Sequence, residues 1–372
     1  MPFGKANSSK VFCHWVSNWC SAFKGHWGKL ANFAFVLESY VDDIFGGADT
    51  KANAALLKNQ LIALGKLTST IMNLEKCQGP ATVMTILGFL YDACMRRVSL
   101  PEKKRLKYLQ RLRSLLANST CRSRELERLL GYLGFASWVE PFGRPFLSAL
   151  SSELERGDAW TTIRLGSYTI LALQIWERIL VLNRGSSYRF VLNRLPTATS
   201  EIFVDAASSW GIGGLFGDRY FMIPNRDLLE FHRVFSRCRG KRLMGIPSDK
   251  LPIAYLELLA ATVAIACFAP LCRDQLVRLN CDNTDAVAWL RKSRCSAGVG
   301  FRLLAVAEFY KHKYCFKVST RHIPGVSNIS ADMLSRGSVP RWLLRHGNRK
   351  IVDIAFLVDI MLNPLTAWST IL

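Results

Sequence analysis

Four acidic residues stand at places where a globular chain seldom spends an acid without a use for it. Asp205 lies in IFVDAASSWGIGG, where an apolar run carries an acid into its interior and small residues follow. Glu257 is the one charge in AYLELLAATVA. Asp282 follows the run VRLNC and precedes NTDAVAWL, and Asp332 sits in HIPGVSNISADMLSR, in the first turn after a loop. Three of them have ordinary explanations when taken singly. Asp205 suits a turn, Asp282 suits a helix cap together with Asn283 or Thr284, and Asp332 suits a helix N-terminus. Glu257 resists such an explanation, because a lone acid on an apolar helix needs a partner or a metal. As a set the four match one chemistry, the hydrolysis of a phosphodiester with two divalent ions. Mg2+, with Mn2+ as a substitute, takes hard oxygen ligands. Two ions roughly 4 Å apart stabilise the attacking and leaving oxygens. Carboxylates packed that tightly repel one another unless cations lie between them.

The elements that must position these acids follow from the sequence pattern. Residues 200–336 have a mixed α/β rhythm. A hairpin pattern covers 201–223, a helix 254–268 and a strand 276–281. Helices follow over 284–292 and 299–312, and a last strand over 316–323. Upstream, residues 33–47 read as a strand, a tight turn and a second strand. Residues 51–67 read as a helix and 86–91 (ILGFLY) as one short strand. Residues 95–130 form a basic amphipathic helix or helix pair, with Leu106, Leu109, Leu112, Leu115 and Leu116 at helical spacing. A second helical pattern spans 123–137. Pro141, Gly143 and Pro145 mark an irregular stretch, residues 161–182 are helical, and part of 183–200 is a linker.

The chain has 372 residues, enough for two or three domains. Half are apolar and 21% are charged, a globular composition. Lys and Arg number 49 against 28 Asp and Glu, a net charge of +21, and the pI is 9.8. Such an excess points to a polyanionic partner, with nucleic acid the leading candidate. The excess is concentrated in residues 96–128, which carry eleven Lys or Arg against three acids. Lys103, Lys104, Arg105, Lys107 and Arg111 are the expected phosphate contacts there. The eleven cysteines are scattered with no C-x-x-C pair, which argues against a disulfide framework or zinc module and fits a reducing compartment. MPFGK does not begin a signal peptide, so the expectation is an intracellular protein, nuclear or cytoplasmic. The apolar stretch 252–272 reads as a buried core helix with one functional acid, and 351–372 as a packing tail. No membrane partner is expected.

The order Asp205, Glu257, Asp282, Asp332 resembles the ribonuclease H fold. The strings FVDAASSWGIGG, AYLELLA, LNCDNTDAVAWL and HIPGVSNISADMLSR resemble those of retrotransposon ribonuclease H domains. The likeness covers residues 200–336. It implies that the four acids are metal ligands and that the substrate is the RNA strand of an RNA–DNA hybrid. Ser208, Asn283 and Arg336 are candidate hybrid contacts beside them. Many ribonucleases H have a histidine in the loop before the last acid. Here no histidine lies between Pro324 and Asp332, and His322 precedes the loop on a strand, where a structural role is expected.

Tyr40-Val41-Asp42-Asp43 resembles the catalytic turn of reverse transcriptases, whose twin aspartates hold metal ions for nucleotidyl transfer on a primer-template. Met1-Pro2-Phe3-Gly4 is similar to the family's P-F-G motif near the incoming nucleotide. Asn73, Lys76 and Leu87-Gly88-Phe89 are similar to later palm motifs, the last being the primer grip. Residues 123–145 resemble the connection of retroelement polymerases, especially the tyrosine-recombinase (DIRS-like) group. The family needs a third carboxylate before the P-F-G motif, so the expectation is a chain that does not polymerise by itself.

The expected architecture is α/β: an α+β palm portion over 1–95, a basic helical thumb and connection over 96–165, and connection and linker over 166–199. A mixed-sheet ribonuclease H domain over 200–337 and a tail over 338–372 complete it. The expected function is a hybrid nuclease, a hydrolase using two Mg2+. Two other readings stand beside it: a domesticated or inactive product that only binds nucleic acid, and a polymerase completed by a further N-terminal part.

Overall fold

The computed structural model describes residues 8–70, 72–154, 161–187, 198, 200–237, 252–295 and 298–362. It is a mixed α/β protein that divides into two units, Met1–Pro101 and Glu102–Leu372.

In the first unit, α1 (Ser8–Leu30) aligns Val16, Cys20 and Phe23 on one face through its 3.6-residue period. That face shares a small core with Leu37 and Leu57. Leu37 lies on β1 (Phe35–Tyr40), which pairs antiparallel with β2 (Asp43–Ala48). Leu57 lies on α2 (Lys51–Leu67), capped where Thr50 Oγ1 accepts the Asn53 amide at 3.1 Å. The strand–turn–strand and the helix expected over 33–67 are both present. Val41 in the turn has φ 57, a strained setting for a β-branched residue. ILGFLY departs from the expectation of a single strand. Ile86 ends β3 (Val83–Ile86), Phe89 begins β4 (Phe89–Asp92), and Leu87 and Gly88 between them have φ of 50 and 80. Two successive positive φ values reverse the chain, a feature that an apolar run does not announce. β5 (Arg97–Ser99) extends this antiparallel sheet.

The second unit begins with helices. α3 (Glu102–Asn118), α4 (Ser123–Ala136), α5 (Arg144–Leu154) and α6 (Ser167–Leu182) pack around Leu109, Leu112, Leu126, Leu129, Leu133, Phe146 and Trp176, all buried. The Leu spacing expected on α3 is realised for Leu109, Leu112 and Leu115, while Leu106 is exposed. Pro141–Gly143 is a 3-10 turn leading into α5, with Pro145 in the first turn of α5, where a missing N–H costs nothing. Residues 161–182 are only partly helical. β7 (Thr162–Arg164) pairs antiparallel with β6 (Thr120–Arg122) before α6 starts.

The rest of the unit is built on a six-stranded mixed sheet. β8 (Ser200–Ala207), β9 (Gly211–Phe216) and β10 (Arg219–Pro224) form an antiparallel meander, one strand more than the expected hairpin. β11 (Leu276–Cys281) lies parallel to β8, β12 (Lys317–His322) parallel to β11, and the short β13 (Asn348–Arg349) parallel to β10. The strand order is β12–β11–β8–β9–β10–β13. α7 (Leu229–Arg237) follows the meander. α8 (Ile253–Phe268) packs on β8 and β9 and against α10 (Gly298–Lys313), and it is apolar on every side because it is buried on every side. Among the described residues only the stretch Ile253–Leu271 is long and apolar enough to cross a membrane, and 78% of it is buried. α9 (Thr284–Lys292) follows β11, and α11 (Ile329–Ser335) packs on β8 and β9. α12 (Arg341–His346) and α13 (Ile354–Leu362) end the described chain, with Leu357, Ile360 and Met361 of α13 buried. Residues 363–372 of the expected tail, the P-F-G motif and most of the expected linker lie outside the described residues.

One glycine sets the distance between α11 and the sheet. Gly213 on β9 pairs with Asp205 on β8. A Cβ at Gly213 would come within 2.7 Å of the Leu334 backbone and the Ser335 amide. Gly213→Ala should therefore destabilise the protein by about 1–3 kcal/mol through overpacking, read as a lower urea midpoint. Gly134→Ala is the control, because its added methyl meets nothing within 4 Å and removes a helical glycine.

Candidate active site

The parallel pairing of β8 with β11 places their carboxyl ends side by side. Phe203 is in register with Asn280, and two residues further along lie Asp205 and Asp282. Asp205 is 4% exposed and Glu257, from the first turns of α8, is 3% exposed. Glu257 reaches the strand end, where its Oε1 accepts the Ala206 amide at 3.1 Å and its Oε2 accepts from Cys281 Sγ at 3.6 Å. Ligand atoms of Glu257, Cys281 and Asp282 all lie within 4.8 Å of one another, the only such group of three or more among the described residues. Asp332 arrives on α11. One turn on, Ser335 donates to Asp205 Oδ2 and also lies 2.9 Å from the Asp332 carbonyl. Asn328, just before α11, ties the helix to β8 by donating to the Val204 carbonyl at 2.8 Å. The structure thus gathers the four sequence-selected acids at one end of the sheet.

The electrostatics of the group are unbalanced. Burial raises the Asp205 carboxyl to about 6, with further upward pressure from Asp282 and Asp332. Burial raises Glu257 to about 9, with Asp205 and Asp282 adding to it. Among the described residues, the cation that acts on Asp205 is Arg336, whose Nε donates to Asp332 Oδ1 at 2.7 Å. Among the described residues, Ser335 is the side chain that donates to Asp205, at Oδ2. Hard oxygen donors in mutual repulsion, two of them on almost wholly buried residues, are what a pair of divalent cations would satisfy.

The other expected residues divide. Asn283 spends its side chain on capping α9, with Oδ1 accepting from the Asp285 and Ala286 amides at 3.0 Å. Ser208 is exposed just beyond β8. His322 Nε2 lies 3.0 Å from the Asp282 carbonyl oxygen, so it braces the loop that carries an acid. On α3, Lys104 lies 4.3 Å above the Phe135 ring, while Lys107 and Arg111 lie 5.2 and 5.4 Å from the Tyr132 ring, and Lys103 is exposed. Arg105 departs from the expected phosphate contact. Its guanidinium pairs with Glu102 and caps α6 through the Leu180 and Val181 carbonyls at 3.2 and 3.3 Å. Asp42 and Asp43 are exposed at the β1–β2 turn, and among the described residues no third ligand joins them. Sequence reasoning missed Cys281, Ser335 and Gly213. Cys281 adjoins Asp282 and Ser335 lies three positions after Asp332 on a helix, so adjacency alone was the available signal.

Both buried acids have folded-state values above their unfolded ones. The stability they confer is present below about pH 4 and is lost as pH rises through about 6 and then about 9. In chelator, the melting temperature should fall across that window, and divalent cation should flatten the fall. Glu257→Gln should be more stable than wild type at pH 8 without metal, by on the order of 1–3 kcal/mol.

No protein-family model and no curated relative matches the sequence. Among solved structures, the chain is similar to a foamy viral protease-reverse transcriptase in complex with dsDNA, at 16% identity and a TM-score of 0.40, covering 87% of this chain and 60% of that one. A foamy viral protease-reverse transcriptase dRH in complex with ds DNA gives 15% identity and a TM-score of 0.38, covering 87% of this chain and 50% of that one. A foamy viral protease-reverse transcriptase in complex with an RNA/DNA hybrid gives 13% identity and a TM-score of 0.37, covering 91% and 62%. This chain spans less than two thirds of the length of each.

Proposed function

We propose that the chain is part of a retroelement reverse transcriptase of the DIRS-like group, and that residues 200–337 hydrolyse the RNA strand of RNA–DNA hybrids. The observation that carries the reading is the convergence of Asp205, Glu257, Asp282 and Asp332 on one end of a mixed sheet, with two of the carboxyls buried and held above their ordinary range. Asp205, Glu257, Asp282 and Asp332 would hold two divalent cations, Mg2+ by the hardness of the donors. Such cations, when bound, activate water and stabilise the leaving 3′ oxygen.

The chain's own residues supply the positioning. Ser335 fixes one oxygen of Asp205. The Ala206 amide fixes one oxygen of Glu257. Arg336 holds Asp332 until a stronger positive charge competes, and it is then available to a phosphate of the scissile strand. In the same unit, Lys103, Lys104, Lys107 and Arg111 give α3 a cationic face backed by Phe135 and Tyr132, suited to phosphates of primer-template or hybrid. We assign residues 1–95 to the palm, 96–165 to the thumb and connection, 166–199 to connection and linker, and 338–372 to a tail. Asp42 and Asp43, without a third carboxylate among the described residues, are not expected to support nucleotidyl transfer by this chain.

The test is cleavage of a labelled RNA–DNA hybrid in Mg2+. Asp205→Asn and Glu257→Gln should each lower the rate by about 100-fold or more, with hybrid affinity retained. Salt-sensitive binding with no metal-dependent cleavage by wild type would instead establish a binding remnant. A primer-extension assay on the same chain should show no synthesis, and robust extension would overturn the assignment of Asp42 and Asp43.

A further inference from the structure

A cavity of about 770 Å3 opens between the first half of β8, the end of β9, the start of α11 and Trp342 of α12. Phe203, Leu215, Ala331 and Trp342 give it apolar walls, two of them aromatic. Phe203 and Leu215 are paired across β8 and β9 and pack with Ala331 of α11. Among the described residues, none of the four acids lines it. Asn328 does line it and is 1% exposed. Its Nδ2 donates to the Val204 carbonyl at 2.8 Å, which fixes the amide, because a flip would set oxygen against oxygen. Oδ1 is therefore the atom that this side chain keeps for the cavity, and it is buried with no donor in the protein. A buried acceptor without a partner is costly, so the atom calls for a donor from outside the fold.

The lining defines the chemistry of that donor. Glu201 also borders the cavity, but its carboxylate accepts from Arg278 at 2.9 Å and from Asn280 at 3.3 Å. An ammonium group would find no uncommitted carboxylate among the described lining residues. Apolar and aromatic walls around one neutral acceptor suit a flat ring that carries an N–H donor. Trp342 lines the cavity while 46% exposed, so its ring also reaches solvent. Arg345 is exposed and lies one turn further along α12, on the same side of the helix as Trp342. A ring stacked on Trp342 would carry an attached phosphate toward that guanidinium. We propose that the cavity binds one unpaired nucleobase by its amino edge. Asn328 Oδ1 accepts from the amino group, Trp342 stacks on the ring and Arg345 meets the phosphate. The base comes from a free nucleotide or from a single strand. The inference does not draw on the four acids, so it stands or falls apart from hybrid cleavage.

The test uses the full chain and short strands of abasic spacer that carry a single central base, with binding read by the anisotropy of a dye at the strand end. A central adenine should tighten binding by roughly tenfold over the wholly abasic strand. Purine, the same ring without the amino group, should bind roughly three- to tenfold more weakly than adenine. Trp342→Ala should cut the adenine gain to less than about twofold. Asn328→Ala should abolish the preference for adenine over purine. It also removes the Val204 bond, so the purine strand and Trp342→Ala carry the test if that variant does not fold. Adenosine monophosphate that displaces the adenine strand identifies free nucleotides as a source, and a gain seen only within the strand identifies single-stranded nucleic acid; either upholds the site. Equal binding of the adenine, purine and abasic strands, the result for a cavity that holds water alone, overturns the inference. An adenine gain that Trp342→Ala leaves unchanged overturns it too. Hybrid cleavage by a chain with no adenine gain would reject the base site and leave the nuclease reading intact. An adenine gain in a chain that cleaves no hybrid would uphold the base site and reject the nuclease.

Discussion

Two carboxyl groups that share buried space resist being charged together. In the second unit that resistance governs the end of the central sheet. Asp205 and Glu257 are almost wholly buried, Asp282 lies beside them, and Asp332 approaches from the facing helix. Among the described residues Arg336 is the cation beside them, and it is paired with Asp332. A fold selected for stability alone would place apolar side chains here. The arrangement is understandable as a receptacle for positive charge, because burial first, and repulsion from neighbouring carboxylates second, hold the Asp205 and Glu257 carboxyls above their ordinary range.

The surrounding structure holds that repulsion in place. β8 is bonded on both edges, by β9 and β11, so Asp205 cannot drift. α8 is anchored by an all-round apolar surface, and that anchorage offsets the cost of carrying Glu257 into the interior. α11 has only seven residues and would not stand alone. It is fixed by Asn328 to the Val204 carbonyl, by Ser335 to Asp205, and by its close approach over Gly213. Each of these contacts lies within a few residues of an acid. Packing and chemistry are therefore parts of one design at this strand end.

The helices that open the second unit solve a different problem. α3 carries many cations, and the structure sorts them by use. Arg105 turns inward to close the carboxyl end of α6, whereas Lys104, Lys107 and Arg111 rest on aromatic rings that hold their charge near the surface. Charge density alone does not separate an interior cap from a displayed cation. The difference is whether an orphan helix carbonyl lies within reach.

The sequence by itself determined the regular elements whose period and burial are simple: β11, α2, α4, α9 and most of α8 match their patterns to within a residue or so. It also singled out Asp205 and Glu257, because an acid in an apolar run is visible without any structure, and Asp282 and Asp332 through the resemblance of their surrounding strings to ribonuclease H domains. α1 was not legible, since its aromatic residues spread around the helix and its buried face is defined only by Leu37 and Leu57. The hairpin within ILGFLY was hidden because a reversal depends on φ at Leu87 and Gly88 and not on polarity. Tertiary structure alone decided that Cys281 faces Glu257, that Ser335 bonds Asp205, and that Gly213 lets α11 approach. Those facts depend on register and interlayer distance. Neither quantity is written in local periodicity, because both arise only when residues far apart in the chain are packed together.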